Sequence, residues 1–122
     1  MKLLSLLVLI PLALIGPCDG SEDVNPVGKC IKVEYVDGIC LEAVLRVVDE
    51  RYVSLSEDWN GQENVFYGIF PCGTDWAKLT SGPVYVEVLA EPEVPSCVRC
   101  MATINYDGQK MYDVKLVSSC AN

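Results

Sequence analysis

Seven cysteines and no histidine set the chemical limits of this 122-residue chain. Without an imidazole there is no Ser-His-Asp or Cys-His nucleophile pair, no His-ligated metal and no proton shuttle working near neutrality. Cys97-Val98-Arg99-Cys100 is a CxxC, a spacing that serves zinc sites and thiol–disulfide exchange. Zinc would need a second such pair or a histidine, and the chain has neither. A redox motif would need a βαβ setting, whereas Pro95 and Val98 point to strand rather than to a helix N-terminus. Glu57 with Asp58, and Glu91 with Glu93, are formal carboxylate pairs. Glycoside hydrolysis needs two carboxylates facing each other across a cleft, and close neighbours at turns read as solvated loop residues. Asp37-Gly38 and Asp107-Gly108 lack the spaced Asp and Asn of a calcium loop, and no glycine-rich phosphate loop is present. The expectation is a protein with no catalytic residue, no metal and no cofactor: not an enzyme.

Side chains that act by contact remain. Trp59, Tyr67, Trp76 and Tyr106 lie in or near turns, where rigid aromatics anchor partners, although in a small domain some of them must pack under loops. These four are candidate ligand contacts. Cys30, Cys40, Cys72, Cys97, Cys100 and Cys120 read as three disulfides, a framework that belongs to an oxidising compartment.

The address agrees with that compartment. Lys2 precedes an apolar run over residues 3–15, broken only by Ser5 and Pro11 and too short to span a bilayer. Cys18 and Gly20 stand three and one positions before a cut at Ser21, so residues 1–20 are expected to be a signal peptide. Cleavage there removes Cys18 and leaves an even set of cysteines. The chain carries 17 acidic against 9 basic residues, a net charge of −8. Phosphate binding needs clustered Lys and Arg, so no nucleic-acid partner is expected, and no membrane insertion.

The elements that must position these residues follow from a near-repeat. Val33-Glu34-Tyr35, Asp37-Gly38, Ala43-Val44-Leu45 and Tyr52-Val53-Ser54-Leu55 are echoed by Val86-Glu87-Val88, Ala102-Thr103-Ile104, Asp107-Gly108 and Tyr112-Asp113-Val114-Lys115-Leu116. After a flexible lead-in at 21–29, a first β-unit spans 30–72, a linker 73–83 and a second β-unit 84–122. In the first, Ile31, Val33 and Tyr35 alternate with Lys32 and Glu34, and Asp37-Gly38 signals a turn with Gly38 left-handed. Ile39, Leu41, Ala43, Leu45 and Val47 then alternate as the return strand. In that register Cys30 faces Val44 and Cys40 faces Glu34, so these two cysteines do not bond each other. A third strand is expected at Tyr52-Val53-Ser54-Leu55, a turn at Asp58-Trp59-Asn60-Gly61 and a fourth strand over 65–70. The linker has room for one helical turn over 75–79. The second unit reads as strands at 84–89, 98–105 and 111–117. A rival pattern puts Leu41, Val44, Leu45, Val48, Tyr52 and Leu55 on one helical face. The β-favouring Val44, Val47, Val48, Tyr52 and Val53, with no N-cap box, lean to strand.

Residues 30–65, with V-x-Y-x-D-G, L-E-A-V-L, V-V-D and V-S-L-S-E-D-W-N-G-Q-E-N-V, resemble a Tudor domain. That resemblance implies an SH3-like barrel of about five strands with an aromatic cage for methylated Lys or Arg. Tyr35 falls at the first cage position and Trp59 at the aromatic of the turn, which adds Tyr35 to the candidate contacts. Leu41 and Leu55 stand where the family has two more aromatics, which leaves Tyr35 and Trp59 the alternative role of barrel core and rim. Glu42-Ala43-Val44-Leu45-Arg46 with Val48-Asp49 is similar to the first helix of cystatin and cathelin domains, and Cys100 and Cys120 to their last disulfide loop. The Q-x-V-x-G inhibitory loop of that superfamily is absent.

The fold expected is therefore mainly β, two SH3-like or Tudor-like units fused into one disulfide-stapled domain. The alternative is α+β, cystatin-like, with one helix on an antiparallel sheet. The function expected is a small, secreted, acidic, non-enzymatic binding protein with an extracellular protein or matrix partner, of the kind found in matrix, venom or mucus. The alternative is a cystatin- or cathelin-like inhibitor or host-defence protein. Each half holds three of the paired cysteines, an odd number, so at least one bridge must join the halves.

Overall fold

The computed structural model describes residues 24–93, 97–98 and 100–120, and the expected signal peptide lies outside the described residues. Six strands form one sheet: β1 (Cys30–Ile39), β2 (Glu42–Val47), β3 (Glu57–Trp59), β4 (Gln62–Ile69), β5 (Val84–Val88) and β6 (Met111–Val117). A 3-10 helix covers Glu50–Leu55, and a short helix, α1, covers Trp76–Thr80. β1 pairs antiparallel with β2 and β5, β2 with β4, and β5 with β6. A parallel pairing of β4 with β6 closes these five strands into a small barrel consistent with an SH3-like barrel, and β3 is hairpinned onto β4.

Period-two alternation builds the interior. Ile31 and Val33, Ala43, Leu45 and Val47, Phe66, Val84, Val86 and Val88, and Val114 all point inward and are buried. The two sequence units are fused at the level of the sheet itself, because β5 and β6 fill the gap between β1 and β4. Three disulfides, Cys30–Cys120, Cys40–Cys100 and Cys72–Cys97, staple this single body. Residues 73–83 hold α1, capped by Asp75, whose carboxylate accepts from the Lys78 amide at 3.1 Å. Its Leu79 is buried in the core. The end of the lead-in expected to be flexible is tied down: Val24 packs on the core and the Gly28 amide donates to Val88 at 2.8 Å.

Four local expectations are corrected. The β1–β2 turn lies at Cys40 and Leu41, both with positive φ (55° and 68°), and Asp37-Gly38 sits inside β1 beside a bulge. Gly38 is there for space: an added Cβ would come within 2.8 Å of the Tyr35 ring and 2.9 Å of the Trp76 ring. The register moves with the turn, so Val33 faces Val47 and Cys30 pairs with Glu87 of β5. Cys30 and Cys40 indeed do not bond each other. Second, residues 52–55 are 3-10 helical, because Asp49 caps the turn at the Arg51 amide (3.1 Å) and Leu55 plugs the barrel. Third, Trp59 ends β3 and the turn is Asn60-Gly61, again with positive φ at both residues. Fourth, residues 98–105 form no strand where described, and they pass as an irregular segment over the outside of the barrel. The cystatin-like alternative needs a long helix over this chain's residues 41–56, and β2 occupies its first half.

Candidate functional site

The five aromatic candidates separate into two groups. Tyr35 and Trp76 meet edge to face (centroids 5.9 Å, 82°), and Trp76 meets Phe70 in the same way at 6.3 Å. Both rings pack against the main core, and the Tyr35 hydroxyl donates to the Gly38 carbonyl at 3.2 Å. Burial, then the nearby Asp37 charge, pushes the Tyr35 phenol up. These two close one part of the barrel core. The cage that a Tudor resemblance places on Tyr35 and Trp59 is not assembled, since Tyr35 packs on Trp76 while Trp59 packs on Tyr106.

Trp59, Tyr67 and Tyr106 form the second group, on the outer face of β2 and β4. Val44, Val65 and Tyr67 are buried there beneath Ile104 and Tyr106, so these strands are covered on both sides. Tyr106 lies between Tyr67 (5.1 Å, 18°) and Trp59 (5.1 Å, 39°), each pair contributing about 0.5–1.5 kcal/mol beyond its buried area. The stack fastens the irregular segment to the sheet. Tyr67 is pushed up to about 12 by burial first, then by the charge of Glu42 and a hydrogen bond to it, with the Ile104 amide donating back to the phenol oxygen.

Glu57 locks the far end of the segment. Its carboxylate accepts from the Tyr106 hydroxyl, from the Gln109 amide at 3.0 Å and from the Lys110 amide at 2.7 Å. Burial works to raise this carboxyl, but the three hydrogen bonds and the Lys110 charge outweigh it and hold it below the ordinary range. Gly108 fits only because it has no side chain, since a Cβ would collide with that carboxylate. Glu57 is thus a structural clamp and not a solvated loop acid. Asp58 is exposed and accepts from the Asn64 amide at 3.3 Å; Glu91 and Glu93 are exposed on a loop.

The CxxC cysteines do not meet each other. Cys97 is bonded to Cys72 and Cys100 to Cys40, with Cα separations of 5.9 and 5.6 Å. Val98 and Met101, beside these anchors, are each 98% exposed, whereas the other exposed large apolar residues range from 37% to 47%. The sequence marks these cysteines as disulfide partners and does not single out Val98 and Met101. The available signal was an apolar residue inside the CxxC and another just after it, with no alternating pattern to bury them. Among the described residues, no three His, Cys, Asp or Glu side chains converge to hold a metal. No helix among them is long and apolar enough to cross a membrane.

No family model matches this chain, and no curated protein and no solved structure shows a match.

Proposed function

We propose that this is a secreted, non-enzymatic binding module that recognises an extracellular protein through Val98 and Met101. The observation that carries it is their 98% exposure beside two cysteines bonded to the barrel. Isolated surface apolar residues need no explanation when they lie flat on neighbours. These two do not lie flat, and the disulfides beside them limit the ordering entropy that a flexible loop would lose on binding. Burying a side chain of this size stabilises a complex by about 1.5–3 kcal/mol. Three disulfides in a small domain and the apolar leader support secretion. The net charge of −8 supports a partner that is neutral or basic at its rim.

Affinity capture from the native extracellular fluid, with mature protein and a Val98→Ser/Met101→Ser variant side by side, tests this. A partner held by the first and weakened roughly a hundredfold in Kd by the double change, a loss of about 3 kcal/mol, is expected. A partner bound equally by both proteins removes the loop from recognition.

A further inference from the structure

A hollow of about 410 Å³, open to solvent, lies where the tip of the β3–β4 hairpin meets the irregular segment, lined by Trp59, Asn60, Ile104, Asn105 and Asp107. Each of these residues stands on backbone that is already fixed. Trp59 pairs with Gln62 across a two-residue turn, and Asn60 and Gly61 hold positive φ (49° and 78°), the left-handed pair that such a turn requires. On the irregular segment the Tyr106 amide donates to the Ile104 carbonyl at 2.8 Å, so Asn105 is the apex of a three-residue turn. Both ends of that turn are anchored, Ile104 on the Val44, Val65 and Tyr67 cluster and Tyr106 between the rings of Tyr67 and Trp59. Asp107 sits between Tyr106 and Gly108, which both lie against the Glu57 carboxylate. Trp59 leans on Tyr106 (5.1 Å, 39°) yet is only partly buried, and it forms the aromatic wall of the hollow. Asn60, Asn105 and Asp107 are exposed around it.

We infer that this hollow binds a neutral pyranose sugar, its C–H face on the Trp59 indole and its hydroxyls on Asn60, Asn105 and Asp107. The residue types narrow the ligand to that class. An apolar molecule would use the indole and Ile104 but would strip water from three polar side chains without replacing it. An anion meets Asp107 and the net charge of −8. A cation finds one exposed carboxylate, an interaction that water and salt weaken. A pyranose has what the hollow asks for on both counts. Its hydroxyls donate and accept, as the two side-chain amides do, and the carboxylate accepts from a pair of them. Its C–H bonds present partial positive charge to the negative face of an indole. The fixed turns leave little ordering entropy to lose on binding. The inference is independent of Val98 and Met101, neither of which lines this hollow.

The test titrates the isotope-labelled mature protein with methyl glucoside, methyl galactoside and N-acetylglucosamine, and follows side-chain N–H shifts by NMR. Sorbitol, which has the hydroxyls without the ring face, and glucuronate, which adds a negative charge, serve as controls. The chain has two tryptophans, so the indole of Trp76, packed on Tyr35 and Phe70, is an internal reference. At least one of the three pyranosides is expected to give saturable shifts at the Trp59 indole and at the Asn60 and Asn105 amides, with Trp76 unmoved and both controls at least tenfold weaker. Trp59→Ala is expected to weaken that sugar at least tenfold. Asn60→Gly keeps the left-handed turn and is expected to weaken it severalfold. Should Trp59→Ala lose the native shift pattern, Asn60→Gly and the sorbitol comparison decide. No saturable shift with any of the three pyranosides, equal binding of sorbitol or glucuronate, shifts centred on Trp76, or an Asn60→Gly affinity equal to wild type would each overturn the assignment.

Discussion

One carboxylate, Glu57, gathers three donors from residues 106–110, about fifty positions further along the chain. Its replacement by Ala strands those donors and is expected to cost about 1–3 kcal/mol in urea unfolding. The pH dependence has a definite sign. The folded carboxyl titrates below its unfolded value of about 4.3, so its contribution is whole above that value and is lost as pH falls through the lower folded one. The stability gap between wild type and Glu57→Gln should therefore be constant above about pH 5 and shrink in more acidic solution. A gap that widens in acid contradicts the clamp. Tyr67 runs the other way: raised to about 12, its contribution is whole below the free phenol value of about 10 and is lost as pH rises between the two. None of this was legible locally. Glu57-Asp58 looks like any pair of acids at a turn, and its partners become neighbours only when the barrel closes.

Elements were read more reliably where alternation was strict than where turn chemistry had to be placed. The inward sets of β1, β2, β5 and β6 follow from period two, and α1 (Trp76–Thr80) lies where the linker has room for one helical turn. The β1–β2 turn did not follow, because Asp-Gly is a good turn pair in isolation. Here β1 must pair with β2 and β5 along its length, and the chain turns two residues later at Cys40-Leu41. There Cys40 bonds Cys100, and the Phe70 amide donates to the Leu41 carbonyl at 2.8 Å. Gly38 is retained as a slot for Tyr35 and Trp76, so Gly38→Ala is expected to cost about 1–3 kcal/mol by overpacking. An unchanged urea midpoint would mean that the rings move aside freely. The irregular segment was missed for a related reason: Ala102-Thr103-Ile104 has β character, but the β2–β4 face it covers needs one apolar residue and a ring, not another strand. At its start, Val98→Ser with Met101→Ser should leave stability within about 0.5 kcal/mol of wild type, since neither side chain is packed.

At the scale of the whole molecule, the two halves are one object. Three cysteines in each half required at least one crossing bridge, and all three bridges cross. The parallel β4–β6 pairing that closes the barrel left no mark in the sequence, since both strands alternate in the same way whichever neighbour they take. Chain entropy ranks the staples by the loop each closes. The Cys30–Cys120 bridge spans 90 residues and the Cys72–Cys97 bridge 25, contributing about 4.5 and 3.5 kcal/mol respectively. Double alanine replacement of the first pair should thus lower the urea midpoint more than replacement of the second. The two bridges at Cys97 and Cys100 also tether the exposed Val98 and Met101 to the barrel. Disulfide mapping of the protein isolated from its native source reaches that point most directly, since trypsin cutting after Arg99 separates the two cysteines of the CxxC. Cys40 linked to Cys100, Cys72 to Cys97 and Cys30 to Cys120 is the predicted result. A Cys97–Cys100 bond would untether Val98 and Met101 and contradict the account.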